Sequence, residues 1–368
     1  MQSRNLRYLV EIDQLRFVAA GLVFVFHFFH VYKGGWVARP DRAWMGLITE
    51  GHTGVSLFFV LSGFIFMTIA QGGEAIDYRI FLRNRILRIA PLYLVIFVIA
   101  ISMHRDRFVA SDLLYLLVTN IGDPPTSWHF ITGPAWSISV EVAFYLIFPF
   151  LAMFQREYGL AFLFKLLILL LLTKIAIYCA VDNSRLVFYS TVVGRLDQFI
   201  IGMLAAIAYR HGLSWPLSRF WKLLAGGLVA IFVAVFIQAR FASYFLPATD
   251  QLFWIFWGSV EAACWSLVIV GFTGSRLRLP FGLNSLTARI GVWSYSVYMW
   301  HALVIFAAHS ALGSVGGTGL FALVLNALVV FLATLVVAWL SFTAIEQPFL
   351  GLRKAYIQAT VTRNVSKQ

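Results

Sequence analysis

Charge is scarce in this chain. Asp, Glu, Lys and Arg make up 12% of it, against about a quarter of an ordinary soluble domain. So few charges cannot cover a surface that faces water on every side, which excludes a soluble globular protein. Cysteine is scarcer still: Cys179 and Cys264, both inside apolar stretches, are the two present. They exclude a disulfide framework and a cysteine-based metal site. No Gly/Ser/Pro-rich linker or low-complexity tract divides the chain, so one transmembrane domain over 1–350 is expected, with a short basic tail over 351–368. What fills the sequence is apolar, with 61% hydrophobic and 17% aromatic residues and a mean hydropathy of +0.83. An all-α integral membrane protein is the expected fold class, because a helix satisfies its own backbone polar groups in lipid. The formal net charge is +12. The basic residues sit in short segments between apolar runs, so they read as a topology signal, and no nucleic-acid partner is expected.

A bilayer crossing takes roughly 20 mostly apolar residues, and about ten stretches supply them. They lie near 13–33, 53–71, 88–104, 135–154, 160–180, 189–209, 222–240, 252–272, 289–310 and 319–343. With the N-terminus inside, Arg79, Arg83, Arg85, Arg88, Arg210, Arg219, Lys222, Arg276, Arg278, Arg289, Arg353 and Lys354 all fall on the inner side, which places both termini in the cytoplasm. The opening segment carries Arg4, Arg7, Glu11 and Asp13 and lacks a small-residue cleavage site after its apolar run, so a retained first helix is expected. Pro91 and Pro134 are each expected near the start of a span. Between the third and fourth spans runs the longest loop, 105–134, with a short apolar stretch at 113–118 and the turn Gly122-Asp123-Pro124-Pro125.

The few ionisable residues inside these spans carry the most information. Arg16, His27, Glu141, Glu261 and His301 interrupt otherwise apolar helices, at an insertion cost of about 2.5–3.5 kcal/mol for a charged group. His27 follows Arg16 by eleven residues, which lifts it about 16 Å along a helix. His301 follows Arg289 by twelve on a span rising the same way, and Glu141 lies about five residues below the outer end of its own span. The three are expected at a common depth, in one pocket. Glu261 is mid-span, with Lys174 as its obvious partner. Arg85 and Arg88 are three apart on one helix face, a spacing that lets two guanidiniums clamp a phosphate. The plain alternatives are a histidine that bridges helices and an arginine that anchors to anionic lipid. His30 does not complete a metal site, and none is expected. His52, His104, His129, His211 and His309 fall at span ends or loops and carry no assigned role. Ser62-Gly63 suits a close approach of two helices.

Several of these segments resemble one known family. Glu11-Ile12-Asp13-Gln14-Leu15-Arg16 with His27 is similar to the opening Arg-x10-His motif of the acyltransferase 3 family, membrane-bound enzymes that modify carbohydrates of exopolysaccharide, lipopolysaccharide and peptidoglycan, and some antibiotics. Gly54 to Phe64 resembles that family's second-span signature, and Arg85-Ile86-Leu87-Arg88 its Arg-x-x-Arg element. Trp136-Ser137-Ile138-Ser139-Val140-Glu141 resembles its Trp-Ser-Leu-Ser-x-Glu motif. Arg195, Asp197, Phe199 and Gly202 fit a weaker pattern, and Ser294 to His301 and Glu346-Gln347-Pro348 fit the late ones. The resemblance runs in order over roughly 11–350. It departs at Val142, where many members carry a second acidic residue, so Glu141 stands as the sole carboxylate there.

The resemblance implies an O-acyltransferase of the bacterial cytoplasmic (inner) membrane, and an O-acetyltransferase in particular. Its co-substrate would be acyl-CoA (acetyl-CoA), with no bound cofactor, and its acceptor a hydroxyl of a cell-surface or lipid-linked carbohydrate. His27 is the expected base, Glu141 the group that orients it, and His301 the third member of the catalytic set. Arg16, Arg85 and Arg88 are expected to hold the phosphates of CoA. The competing reading is a transporter or flippase for a lipid-linked sugar or acyl group, since buried ionisable residues also serve proton coupling.

Overall fold

The computed structural model describes residues 9–36, 43–73, 75–103, 136–244, 252–278, 280, 282–315 and 319–358. The loop 105–134, with its apolar stretch and its Pro-Pro turn, and Arg4, Arg7, His104, His129 and Pro134 lie outside the described residues. The helices are α1 (Val10–Tyr32), α2 (Gly46–Thr49), α3 (Thr53–Ala70), α4 (Tyr78–Met103), α5 (Trp136–Tyr158), α6 (Leu160–Ala180), α7 (Ser184–Ser190), α8 (Val192–His211), α9 (Leu217–Phe241), α10 (Phe253–Ser275), α11 (Leu283–Val292), α12 (Ser294–Leu312), α13 (Leu320–Ser341) and α14 (Gln347–Gly351). Among the described residues, nine helices are long and apolar enough to cross a membrane, or ten when the bent pair α11–α12 is counted as one span. This is an all-α multi-pass membrane protein.

α3 lies at the centre, with 72% of its apolar window buried, whereas α6 buries 17% and faces outward. Glycines let α3 and α8 touch backbone to backbone. A Cβ on Gly63 would meet Phe199 O at 2.1 Å, and one on Gly202 would meet Val60 O at 2.2 Å. Small residues at such crossings replace the hydrophobic drive that lipid does not supply.

Three elements differ from their sequence expectation. α4 begins at Tyr78 rather than near 88, because Asp77 caps it: the Ile80 N–H donates to Asp77 Oδ1 at 2.9 Å. Its first turns hold Arg79, Arg83 and Arg85, which an apolar window rejects, and Pro91 therefore lies inside the helix. The sixth span is interrupted at Thr191, whose hydroxyl accepts from the Gly194 N–H and starts α8 afresh. The ninth span is broken by a 74° bend between α11 and α12. α11 lies against the start of α1: Gln14 Nε2 donates to Asn284 Oδ1 at 2.8 Å, and a Cβ on Gly291 would meet Asp13 O at 1.7 Å. Arg289 and His301 thus sit on separate helices, and their separation along one axis does not set the depth of His301.

The tail is not loose where it is described. Ile357–Gln358 pairs antiparallel with Ala75–Ile76, and Asn84 grips the Lys354 backbone, donating to its carbonyl at 2.6 Å and accepting from its N–H at 3.1 Å.

Candidate active site

One cavity collects most of the polar residues singled out in the sequence. It is lined by Arg16 of α1, Ser62 of α3, Arg85 and Arg88 of α4, Ser137, Glu141 and Tyr145 of α5, and Ser294, Tyr295 and Tyr298 of α12. Arg16 pairs with Asp13 one turn earlier, at 2.9 Å. Arg85 lies over the rings of Phe66, Phe81 and Tyr145, at 5.0, 5.5 and 5.9 Å, while its Nε has no hydrogen-bond partner. Among the described residues neither Arg85 nor Arg88 has a carboxylate within ion-pair distance. Three cations share the cavity with Glu141, the one carboxylate in its lining among the described residues.

That carboxylate accepts from Tyr145 Oη at 2.5 Å and from Ser62 Oγ at 3.1 Å. The sequence placed it beside His27, and the structure does not. Glu141 lies five residues into α5, as expected, but it lines the cavity with Arg16, Arg85 and Arg88. Ser137, one turn above, instead meets α12, its hydroxyl 2.7 Å from Tyr298 Oη.

His27 and His301 do meet. Nδ1 of His27 lies 3.1 Å from Nε2 of His301 and 3.0 Å from Val23 O. Nδ1 of His301 lies 2.5 Å from Tyr298 O. Carbonyls only accept, so with both rings neutral one proton arrangement satisfies all three contacts. His301 keeps its proton on Nδ1 and accepts on Nε2 from His27 Nδ1–H, which puts the lone pair of His27 on Nε2. Tyr298 joins the two regions, since its side chain lines the arginine cavity and its carbonyl fixes the tautomer of His301.

A second polar group lies among α3, α6, α8 and α10, and it corrects the expected pairing of Glu261 with Lys174. Lys174 Nζ instead donates to Asp197 Oδ2 at 2.7 Å, which also accepts from Ser259 Oγ at 2.5 Å. Glu261 Oε2 accepts from Ser56 Oγ at 2.7 Å and from Gln198 Nε2 at 3.4 Å, with Arg195 Nη1 at 3.7 Å. Helix azimuth decides this. Asp197 and Arg195 are two apart on α8 and face different neighbours. Sequence reasoning also passed over Glu50 and His52, whose spacing at a span end carries no signature. The structure joins them at 2.9 Å, both buried.

Among the described residues no three His, Cys, Asp or Glu side chains are grouped to hold a metal ion. Guanidiniums cluster in a cavity between membrane-spanning helices, and a hydrogen-bonded imidazole pair joins two helices of the same bundle. The acyltransferase domain model of the acyltransferase 3 family matches residues 9–343, and the chain belongs to that family. The chain is 26% identical to acyltransferase MdmB of Streptomyces mycarofaciens, over 94% of this chain and 92% of that protein. It is 24% identical to O-acetyltransferase OatA of Staphylococcus aureus, over 83% of this chain and 52% of that protein, so it spans about half of OatA's length. No solved structure matches. Neither the family nor these two names supports the transport alternative.

Proposed function

We propose that this membrane acyltransferase moves an acyl group, acetyl in particular, from cytoplasmic acyl-CoA to a hydroxyl of a cell-surface or lipid-linked carbohydrate in the bacterial inner membrane, with both termini cytoplasmic. The observation that carries the reading is the cavity holding Arg16, Arg85 and Arg88, in which Arg85 and Arg88 form no ion pair among the described residues. Guanidinium forks match phosphate oxygens bidentately, and CoA is a substrate with a phosphate cluster at one end and a thioester at the other. His27 lies eleven residues beyond Arg16 on α1, a rise of about 16 Å, which an extended pantetheine arm covers.

A sugar hydroxyl is a poor nucleophile at neutral pH and requires a base. His27 Nε2 takes the hydroxyl proton as the oxygen attacks the thioester carbonyl. The C–S bond then breaks, and the imidazolium returns its proton to the departing thiolate. His301 holds the ring of His27 through Nδ1, the orienting part that a carboxylate plays in a hydrolase triad. Glu141 serves the donor cavity, as the anion that keeps Tyr145 and Ser62 in place among the arginines.

The test is release of free CoA from acetyl-CoA by purified protein in nanodiscs, with and without a carbohydrate fraction from the envelope of the cells that make it. Acceptor-dependent release should fall about 10²–10⁴-fold in His27→Ala, the usual share of a general base. Release that is independent of His27 contradicts the assignment. Uptake of a glycolipid into liposomes without thioester cleavage contradicts the enzyme reading altogether.

A further inference from the structure

Glu50 and His52 form a buried pair that the donor and base assignments leave unused. They occupy the tight turn between α2 and α3, where the Thr53 N–H donates to Glu50 O at 3.0 Å and the Val55 N–H to His52 O at 2.9 Å. The backbone therefore fixes both side chains. Glu50 is 0% exposed and His52 3%. Oε2 of Glu50 is bonded to Nε2 of His52, yet the second atom of each group, Glu50 Oε1 and His52 Nδ1, has no hydrogen-bond partner. An unpaired polar atom in a buried site costs about 1–3 kcal/mol. Two such atoms on one hydrogen-bonded pair call for a ligand that satisfies them.

The surroundings narrow the ligand. The ring of His52 meets Tyr189 edge-on at 5.2 Å and Phe26 at 5.4 Å, and Phe26 lies 4.8 Å from the ring of His27. The pair is thus one side chain removed from the catalytic base. Tyr189 packs on Trp136 at 5.1 Å and on Tyr244 at 4.3 Å. Arg195 stiffens this wall, with Nε donating to Tyr189 O at 2.6 Å and its guanidinium 5.6 Å from the ring of Trp136. A carboxylate at the centre disfavours an anion such as a phosphate. Unpaired polar atoms disfavour an acyl chain. Aromatic rings beside a carboxylate and an imidazole suit a neutral polyhydroxylated ring, whose C–H face packs on the aromatics while its hydroxyls bond the polar pair.

We infer that Glu50 and His52 form the acceptor subsite, where one sugar hydroxyl donates to Glu50 Oε1 and another bonds His52 Nδ1, holding a third hydroxyl toward His27. The inference rests on the acyltransferase reading and deepens it by stating where the carbohydrate is held. It is distinct from the arginine cavity, which takes the donor.

Incorporation of label from [¹⁴C]acetyl-CoA into the envelope carbohydrate fraction separates the two readings, using full-length protein in nanodiscs. His52→Ala should raise the half-saturating carbohydrate concentration about tenfold, the effect of one lost buried hydrogen bond, with the KM for acetyl-CoA within about twofold of wild type. Glu50→Gln should act in the same direction, and His52→Asn, which keeps a polar atom near the Nδ1 position, should recover part of the loss. Unchanged carbohydrate dependence in both His52→Ala and Glu50→Gln overturns the inference. So does a parallel rise in both half-saturating concentrations, which marks a general structural role. Wild-type protein that incorporates no label contradicts the acyltransferase reading itself, and the inference falls with it.

Discussion

Arg195 and Arg85 both lie against aromatic rings inside the bundle, yet they are treated in opposite ways. Arg195 is buried, donates to Ser56 Oγ and Tyr189 O, and has Glu261 at 3.7 Å. Arg85 lies over three rings, but its Nε has no hydrogen-bond partner and among the described residues it forms no ion pair. The difference shows how a membrane protein divides its costly charges. Among α6, α8 and α10 the buried cations Lys174 and Arg195 each meet a carboxylate within the chain, which holds helices in register. At the junction of α1, α4, α5 and α12, Arg85 and Arg88 have no ion-pair partner among the described residues, as the proposed donor site requires.

Substitutions should break this contrast in a definite order. The largest loss of stability is expected from Arg195→Met, which strands the carboxylate of Glu261 in a buried site and should cost about 3–5 kcal/mol. Thermal unfolding in detergent measures it, and Arg195→Met combined with Glu261→Met should regain most of the loss. A double variant as unstable as the single one would show that packing, not charge matching, sets the effect. Next comes Gly63→Ala. The built Cβ runs into Phe199 O at 2.1 Å, so α3 and α8 must separate, at about 1–3 kcal/mol. Tyr145→Phe removes the hydroxyl that donates to Glu141 and should cost about 1–2 kcal/mol. The smallest change is expected from Arg85→Ala with Arg88→Ala, about 0.5–1 kcal/mol from the lost contacts of Arg85 with three rings, because among the described residues neither arginine loses an ion pair.

Much of this was legible in the sequence, for reasons particular to membranes. Apolar length marks spans directly, so their number and order could be read, and the Arg-x10-His spacing placed Arg16 and His27 on one helix. Direction and azimuth were not readable. Both sides of the break at Trp293 are apolar, so a hydropathy window passes over the 74° bend. The start of α4 was hidden because its first turns are basic. Lys174 was matched to the wrong acid because the choice between Glu261 and Asp197 depends on which faces of α6, α8 and α10 meet. Glu141 was expected beside His27 on depth alone, and depth does not say which neighbours its face of α5 meets; it meets Ser62 and lines the cavity with the arginines. The contact between His27 and His301 joins two helices far apart in sequence, and no local pattern specifies it.

The most direct test of the account is equilibrium binding of [¹⁴C]acetyl-CoA to protein in nanodiscs, comparing wild type, His27→Ala and the double variant Arg85→Ala/Arg88→Ala. The account predicts wild-type affinity in His27→Ala and a loss of about 10²-fold or more in the double variant, as two charge-assisted contacts to phosphate disappear. Undiminished binding by the double variant would contradict it.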